Sequence, residues 1–266
     1  MSKRPPVIVD THCHLDFTVF DDDRLTVLNN ARQHGVHGLV IPATQRATWQ
    51  TTVNCASACH VDLALGLHPV FIDHHQPYHL SDLADWVTQH NPIAIGEIGL
   101  DFHKSLGHGP QQFEKQILFF KKQLLIAQRC NKPVIIHNRK AHDKCLALLH
   151  EIRVPGGIIH AFNGSLEQAK HYQALGFCLG FGGMLTFGRS SKLHALVKAV
   201  SLEHIVLETD APDMTVASHQ GHRNSPEYLP EVLSAVAHHK QLDESLIAEH
   251  TTQNAQRVLG PLTLRH

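Results

Sequence analysis

Two histidines near the start of the chain are spaced so that they can bind one metal ion. His12 and His14 lie in the run Asp-Thr-His-Cys-His, which covers residues 10–14. Because side chains two positions apart on a β-strand point the same way, both imidazoles face one point, whereas Cys13 points into the packing. Neutral imidazole is the commonest metal-binding side chain. A His-x-His pair alone is a weak signal, since short motifs often match by chance.

Other metal-binding side chains follow apolar runs elsewhere in the sequence. Glu97 ends one such run and has glycines close on both sides. A buried carboxylate there costs free energy unless a cation meets it. His137 and His160 each follow a β-branched run. One such histidine is usually a core residue, but two of them beside a glutamate favour a metal site. A further run ends in Glu208 and Asp210, which face the same way on a strand.

Short apolar runs separated by stretches of helical periodicity would position these side chains. The alternation is typical of a parallel sheet covered by helices. Since barrel enzymes keep their active sites at the carboxyl ends of the strands, and the last strand neighbours the first, we expect Asp210 to meet His12 and His14. The sequence predicts an α/β fold, a TIM (β/α)8 barrel that forms a single domain over residues 1–266. The predicted strands cover residues 7–11, 38–41, 63–67, 93–98, 134–136, 157–159, 177–180 and 205–208.

The helices between these strands have recognisable ends. Gly35 closes the first helix, Ser81 caps another, and Pro110 opens a long amphipathic one. Ser165 and Gln168 form a capping box. The predicted helices cover residues 23–35, 81–90, 111–130, 165–176, 226–240 and 243–259.

Composition excludes several classes of protein. Lys plus Arg number 23 against 24 Asp plus Glu, and this balance argues against a large basic surface that grips many phosphates. Any contact with a nucleic acid is therefore short. Six cysteines without a CxxC pair, and the lack of a secretory segment after the Met-Ser-Lys-Arg start, favour a reduced, cytoplasmic setting. We expect a soluble monomer with no membrane contact and no obligate protein partner.

Histidine is unusually abundant, with 25 residues. Most of these histidines are expected to lie on the surface, because they stand in polar surroundings without partner spacing. The histidines assigned to the surface in this way are His74, His75, His79, His238 and His239.

Several stretches together resemble the TatD family of the amidohydrolase superfamily, over nearly the whole chain. They are Asp-Thr-His-Cys-His-Leu-Asp (10–16), Gly-Leu-His-Pro (66–69), Gly-Glu-Ile-Gly-Leu-Asp (96–101), His137, His-Ala-Phe-Asn-Gly (160–164), Glu-Thr-Asp-Ala-Pro (208–212) and Gly-His-Arg-Asn (221–224). The resemblance implies two divalent metal ions. The implied ligands are His12, His14 and Asp210 for the first ion and His137 and His160 for the second, with Glu97 bridging both. Imidazole suits zinc, while carboxylates and phosphate also tolerate magnesium or manganese, so the metal stays open.

This resemblance implies a divalent-metal-dependent hydrolase of phosphodiester bonds, with DNA cut from an end as the leading substrate. A water on zinc has a pKa near 7 instead of about 15.7, so a hydroxide nucleophile is available at neutral pH. Asp210 is the predicted catalytic residue, acting as a ligand and as the proton acceptor. Glu208 is expected to hold a ligand histidine, because bound imidazoles donate their other N–H to a carboxylate or carbonyl.

Two further residues are candidates for substrate binding. His68 follows the third run and could donate to a phosphate oxygen, or could simply cap the loop beside Pro69. Arg223 could make a two-point phosphate contact, or could be an ordinary surface arginine. Asp16 and Asp101 match the family stretches, but the sequence suggests no task for either.

Two other functions compete with this interpretation. A metal-dependent hydrolase of a small amide, lactone or ester would need the same centre, and only substrate contacts in the loops would distinguish it. A non-catalytic, histidine-rich metal-binding protein would instead have its histidines clustered in flexible tracts. In this sequence the histidines of interest stand singly at strand ends.

Overall fold

The apolar runs of the sequence become parallel strands in the computed structural model. The structure describes residues 5–265, so residues 1–4 and 266 of the predicted domain lie outside it. Within the described range, the sheet has eight strands that pair in sequence order. They are β1 (Ile8–Asp10), β2 (Val36–Pro42), β3 (Asp62–Leu65), β4 (Ala94–Asp101), β5 (Val134–Arg139), β6 (Gly157–Ile159), β7 (Phe177–Phe181) and β8 (Ile205–Leu207).

Backbone hydrogen bonds close the sheet into a barrel. The amide of Thr11 donates to the carbonyl of Leu207 at 3.0 Å, and the amide of Asp210 donates to the carbonyl of His12 at 2.8 Å. These bonds connect the end of β8 to the end of β1. The predicted (β/α)8 barrel is confirmed, and each predicted run overlaps one of the strands.

Helices pack around this barrel. Those in residues 5–265 are α1 (Arg24–Gln33), α2 (Trp49–Cys59), α3 (His79–His90), α4 (Pro110–Arg129), α5 (His142–Glu151), α6 (Leu166–Ala174), α7 (Ser191–Ala199), α8 (Leu229–Lys240) and α9 (Glu244–Leu259). None of them combines the length and the apolar character that crossing a membrane would require.

One apolar side chain from each strand belongs to a cluster that fills the middle of the barrel. Ala255 and Leu259 of α9 pack against the same cluster, so this helix covers one end of the barrel. The opposite end, where the strands finish, stays open for the predicted site. The strand residues of the cluster are Val9, Val40, Ala64, Ala94, Ile135, Ile158, Cys178 and Val206.

One predicted helix cap is confirmed and another is wrong. Ser165 and Gln168 form the predicted capping box, in which the Ser165 hydroxyl accepts from the Gln168 amide at 3.1 Å. The prediction that Ser81 caps a helix is wrong, because α3 begins at His79 and Tyr78 is its N-cap residue. Ser81 lies inside the first turn, where its hydroxyl donates to the Tyr78 carbonyl at 2.7 Å. Because a serine hydroxyl can donate to a backbone carbonyl within a helical turn, a serine alone does not mark the start of a helix.

Candidate metal centre

The predicted metal-binding side chains meet at the carboxyl ends of the strands. They surround the floor of a cavity of about 690 Å³, which most of them line directly. His12 lies just behind the cavity surface and is fully buried. The side chains that the structure brings together are His12, His14, Glu97, His137, His160 and Asp210.

Glu97 stands at the centre of this group. Its Oε2 lies 3.2 Å from Nε2 of His12 and 3.7 Å from Nε2 of His14. Its Oε1 lies 3.2 Å from Nε2 of His68 and 3.3 Å from Nδ1 of His137. Each carboxylate oxygen therefore faces a different pair of imidazoles.

Asp210 contacts His12 and His14 as well, and also His160. Its Oδ1 is 3.7 Å from Nε2 of both His12 and His14. Its Oδ2 is 3.5 Å from Nε2 of His160. The ring of His160 stacks on that of His12, with centroids 3.6 Å apart, whereas the centroids of His137 and His160 are 6.5 Å apart.

These side chains fit a divalent metal ion. The Nε2 atoms of His12 and His14 are only 3.3 Å apart and share the same carboxylate oxygen. A single proton can lie between two such nitrogens, but a cation can satisfy both nitrogens and the carboxylate together. In residues 5–265, potential ligand atoms gather within 4.8 Å of one another in three overlapping groups. They are His12, His14 and Glu97; His12, His160 and Glu208; and His68, Glu97 and His137.

His137 is oriented by Asp101, a residue to which the sequence assigns no task. Its Nε2 lies 3.0 Å from Oδ2 of Asp101, which leaves Nδ1 facing Glu97. Burial alone would lower the pKa of His137, but hydrogen bonds to Asp101 and Glu97 and their charges raise it to about 9. A carboxylate behind a ligand histidine is the arrangement that fixes the ring in metal sites.

Glu208 orients His160 in the same way. Its Oε1 is 3.1 Å from Nδ1 of His160 and accepts the amide of Ala161 at 2.6 Å. This contact leaves Nε2 of His160 facing Asp210. The carboxylate passes directly over Gly180, where an added Cβ would lie 2.1 Å from Oε2 of Glu208. A glycine is therefore required at this point of β7.

Charge at the centre keeps its acidic ligands ionised. Burial favours neutral carboxyl groups, but the adjacent imidazoles of His68 and His12 hold the pKa of Glu97 well below its usual range. The side chain of Asp210 is 15% exposed, and the charge of His160 together with its hydrogen bond lowers the pKa of Asp210 to about 2. Both groups are negative at neutral pH, so a cation is attracted to the space between them.

His68 is held in one tautomer by the loop that follows β3. Its Nδ1 accepts the amide of Val70 at 3.1 Å, so the proton of the neutral ring lies on Nε2. Burial lowers the pKa of His68, which favours this neutral form. The N–H on Nε2 faces Oε1 of Glu97 at 3.2 Å, at the wall of the cavity. His75, expected on the surface, is in fact buried, and its Nε2 donates to the His68 carbonyl at 2.9 Å.

The structure does not bring Arg223 to the cavity. Its guanidinium makes a two-point contact with Asp23, with distances of 2.6 Å and 3.0 Å, and donates to the Val19 carbonyl at 2.7 Å. It also lies over the ring of Phe20, 4.4 Å from the centroid. The adjacent Asn224 is buried and donates to the carbonyl of Thr209 at 2.8 Å. This part of the chain therefore holds loops in place near Asp210.

Two further acidic residues of the first family stretch have structural partners. Asp10 accepts the hydroxyl of Thr209 at 2.6 Å and the amide of His12 at 3.2 Å, and so connects β1 to the end of β8. Burial raises the pKa of Asp10 to about 7. Asp16 accepts the hydroxyl of Thr52 at 2.6 Å. An acid inside an otherwise apolar strand was the signal in the sequence that could have identified the role of Asp10.

Two buried glutamines of α4 hold the loops that carry site residues. The side-chain oxygen of Gln116 accepts the Asp101 amide at 2.8 Å, and its nitrogen donates to the Asp101 carbonyl at 3.1 Å. Gln123 makes the same pair of bonds to Leu67, at 2.8 Å and 3.2 Å. Each glutamine side chain bonds to both the backbone amide and the backbone carbonyl of one residue, as a neighbouring β-strand would. They therefore fix Asp101 and the residue before His68.

The cavity above the centre has one largely apolar side. Phe17 stacks on His14 with ring centroids 4.6 Å apart, and Phe71 lies beside His68. Arg139 lines the polar side, where its guanidinium lies 4.0 Å from Asp101. The other apolar lining residues include Val70, Phe181, Met184, Leu185, Leu193 and Met214.

A parallel barrel with histidines and carboxylates gathered at its strand ends defines the class of metal-dependent hydrolases. The sequence profile of the family described as "TatD related DNase" matches residues 9–260. The chain belongs to the TatD family, and the resemblance drawn from the sequence is confirmed.

Relatives cover almost the whole chain. The Escherichia coli K12 protein named "Uncharacterized metal-dependent hydrolase YjjV" is 36% identical over 250 residues, which are 92% of this chain and 95% of that protein. The crystal structure of E. coli YjjV, described as a TatD homolog, matches with a TM-score of 0.88 over 94% of this chain and 97% of that one, at 34% identity. The "3'-5' ssDNA/RNA exonuclease TatD" of Pantoea ananatis is 30% identical over 94% of this chain and 98% of that protein.

Proposed function

We propose that the protein hydrolyses phosphodiester bonds at an end of single-stranded DNA, using two divalent ions. In this proposal His12, His14 and Asp210 hold the first ion and His137 and His160 hold the second, with Glu97 between them. The name of the Pantoea ananatis relative supports a nucleic-acid substrate. The candidate metals are zinc, magnesium and manganese.

The observation that carries the proposal is the position of Glu97. Its Oε2 faces His12 and His14, the proposed ligands of the first ion, and its Oε1 faces His137, a proposed ligand of the second, at distances of 3.2–3.7 Å. A carboxylate that satisfied one ion or one hydrogen-bond donor would not need imidazoles on both sides. This arrangement suits a bridge between two cations.

Divalent ions in such a centre polarise the phosphate and lower the pKa of water. Asp210 is ionised at neutral pH and its Oδ atoms point into the cavity, so it is the group that accepts the proton of the attacking water. Glu208 and Asp101 keep His160 and His137 in the required orientation.

The remaining cavity residues bind the substrate. The proton of His68 lies on Nε2, because its Nδ1 accepts the Val70 amide. This N–H faces Oε1 of Glu97 at 3.2 Å, and it would donate to a phosphate oxygen once metal occupies the Glu97 carboxylate. Arg139 offers a positive charge on the polar side of the cavity. The apolar side, with Phe17 and Phe71, suits the face of a nucleobase.

The proposal is tested by removing bound metal and restoring zinc, manganese or magnesium separately. Single-stranded DNA and RNA labelled at either end are assayed beside a small phosphodiester and a panel of simple amides, lactones and esters. We expect metal-dependent release of nucleotides from one end of the strand. Cleavage confined to the compounds without phosphate would refute the proposal and establish the competing hydrolase function.

The role of Asp210 is tested separately. Asp210→Asn should abolish turnover while most of the bound metal remains, since an amide oxygen can still act as a ligand but cannot accept the proton. Metal content and single-turnover rates are measured on the same sample. Full activity in this variant would remove Asp210 from the proposed role.

A further inference from the structure

A second cavity adjoins the metal centre on the side of α5 and α6. It has a volume of about 510 Å³ and shares Asn163 and Lys192 with the lining of the first cavity. The main chain of Asn163 accepts a hydrogen bond from the ammonium group of Lys192. This contact holds a positive charge at the junction of the two cavities.

Lysines dominate the charge of this second cavity. Lys140 and Lys144 line it together with Lys192, and all three are exposed. The ion pairs that lysines form in residues 5–265 involve Lys121 and Lys170 instead. Within residues 5–265, Lys140, Lys144 and Lys192 are therefore not ion-paired with a carboxylate.

One acidic residue lies in the same cavity. Asp143 is exposed, and its Oδ1 accepts a hydrogen bond from Gln168 at 2.8 Å. Three lysines against one aspartate leave a local excess of positive charge, in a chain whose total formal charge is −1. The amino end of α5 opens into the cavity too, and Ala141 at its N-cap position makes no side-chain cap, so first-turn amides add to the positive potential.

We propose that this second cavity, which we call the lysine cavity, binds the phosphodiester backbone of a nucleic-acid strand whose end lies in the metal centre. The inference rests on the proposed function and extends it from one scissile bond to a chain of several phosphates. A lysine side chain is a mobile point charge, which suits phosphates of variable sequence. The contact involves few lysines, so it is compatible with the balanced charge of the whole chain.

Two substitutions test the lysine cavity without touching the metal centre. Lys140→Asn and Lys144→Gln are combined in one variant, and asparagine is chosen because Lys140 has a φ of 61°, which asparagine tolerates. The matched control combines Lys122→Gln and Lys198→Gln, which remove the same charge from exposed positions that line neither cavity. Neither pair is part of a helix cap or an ion pair, so both proteins should fold.

Binding and cleavage are measured with fluorescent oligothymidylates of two and eight nucleotides and with a small phosphodiester. Binding is followed in the metal-loaded Asp210→Asn background. We expect the double variant to weaken binding of the longer oligonucleotide by about tenfold and to reduce the slope of log K against log salt by about 1.4, corresponding to two phosphate contacts on a single strand. Hydrolysis of the small phosphodiester should not change, and the control variant should resemble the unmodified protein.

The outcomes separate this inference from the proposed function. If the unmodified protein cleaves oligonucleotides, but the Lys140 and Lys144 variant binds them as tightly as the Lys122 and Lys198 control does, the lysine cavity is refuted and the function stands. If the protein neither binds nor cleaves any oligonucleotide, the function fails and the inference fails with it. If the longer oligonucleotide loses affinity only in the Lys140 and Lys144 variant, the lysine cavity is supported whether or not hydrolysis is observed.

Discussion

Asp101 shows how much a single residue behind the metal centre can matter. Asp101→Asn keeps the size of the side chain but removes the charge that orients His137 through a contact of 3.0 Å. We expect metal affinity to fall by about 10- to 100-fold, as is typical when such a carboxylate is lost. The measurement is a zinc or manganese titration by calorimetry. Asp73→Asn, at an exposed position, is the control, and an unchanged affinity for Asp101→Asn would contradict the assigned role.

His75 makes the stability of the protein depend on pH. Burial lowers its pKa from 6.5 to about 4, so the folded chain keeps this ring neutral while the unfolded chain binds a proton below about pH 6.5. The stabilisation of the fold by the neutral His75 ring is therefore fully present above pH 6.5. It is lost as the pH falls towards 4, at up to about 1.4 kcal/mol of unfolding free energy per pH unit.

His75→Gln retains an N–H donor but does not titrate in this range. We expect this variant to lose less unfolding free energy between pH 6.5 and 4.5 than the unmodified protein, as measured by urea unfolding. His74→Gln changes an exposed neighbour and should leave the pH dependence as it is. Parallel pH profiles for the unmodified protein and the His75 variant would show that the buried ring is not responsible.

Residue types and spacing predicted which side chains gather at the candidate metal centre, but not which tertiary contacts the surrounding residues make. His12, His14 and Asp210 come together because they end strands that the barrel brings side by side. The salt bridge of Arg223 could not be foreseen, because Asp23 is distant in the sequence and meets it only through the fold. The burial of His75 was likewise hidden, since the polar residues around it masked its contact with Phe119.

At the scale of elements, α4 supports the site through its two buried glutamines. Gln116→Leu leaves the amide and the carbonyl of Asp101 without their partners, and an unpaired buried group costs about 1–3 kcal/mol. We expect a loss of unfolding free energy in this range, together with weaker metal binding, because Asp101 orients His137. Denaturant unfolding and metal titration measure the two effects.

An exposed glutamine of the same helix provides the control. Gln128 donates to the carbonyl of Arg153 at 2.9 Å, and Gln128→Leu should cost less than about 1 kcal/mol because water can replace it. Equal losses in the two variants would mean that α4 acts only through its general packing.

Strands were easier to predict than helices. Runs such as 134–136 and 157–159 are apolar on both faces, because in a barrel one side packs inside and the other packs against helices. Helix α2 was not predicted, since it contains threonine, asparagine, serine and cysteine, which have low helix propensity. It is held instead by tertiary contacts, including the bond from the indole of Trp49 to the Gly66 carbonyl at 2.9 Å.

At the scale of the whole molecule, metal binding should stabilise the fold. The ligands come from strands at both ends of the chain, so an ion that binds only the folded state adds about 2.7 kcal/mol at a concentration 100 times its Kd. Because the pKa of His137 is raised to about 9, metal must displace a proton there, and its binding weakens as the pH falls.

Thermal unfolding with and without zinc or manganese tests this coupling. We expect the metal to raise Tm more at pH 8 than at pH 6. Glu97→Gln removes the central charge and should abolish most of this increase. An equal metal-induced increase at both pH values would contradict the displacement of protons.

Direct localisation of bound metal tests the central claim most closely. Crystals of the protein prepared with excess zinc are measured on either side of the zinc absorption edge, and the number of ions per chain is determined by elemental analysis of the same preparation. We expect two anomalous peaks, one on each side of the Glu97 carboxylate, and two ions per chain. A single peak, or peaks located only at surface histidines, would contradict it.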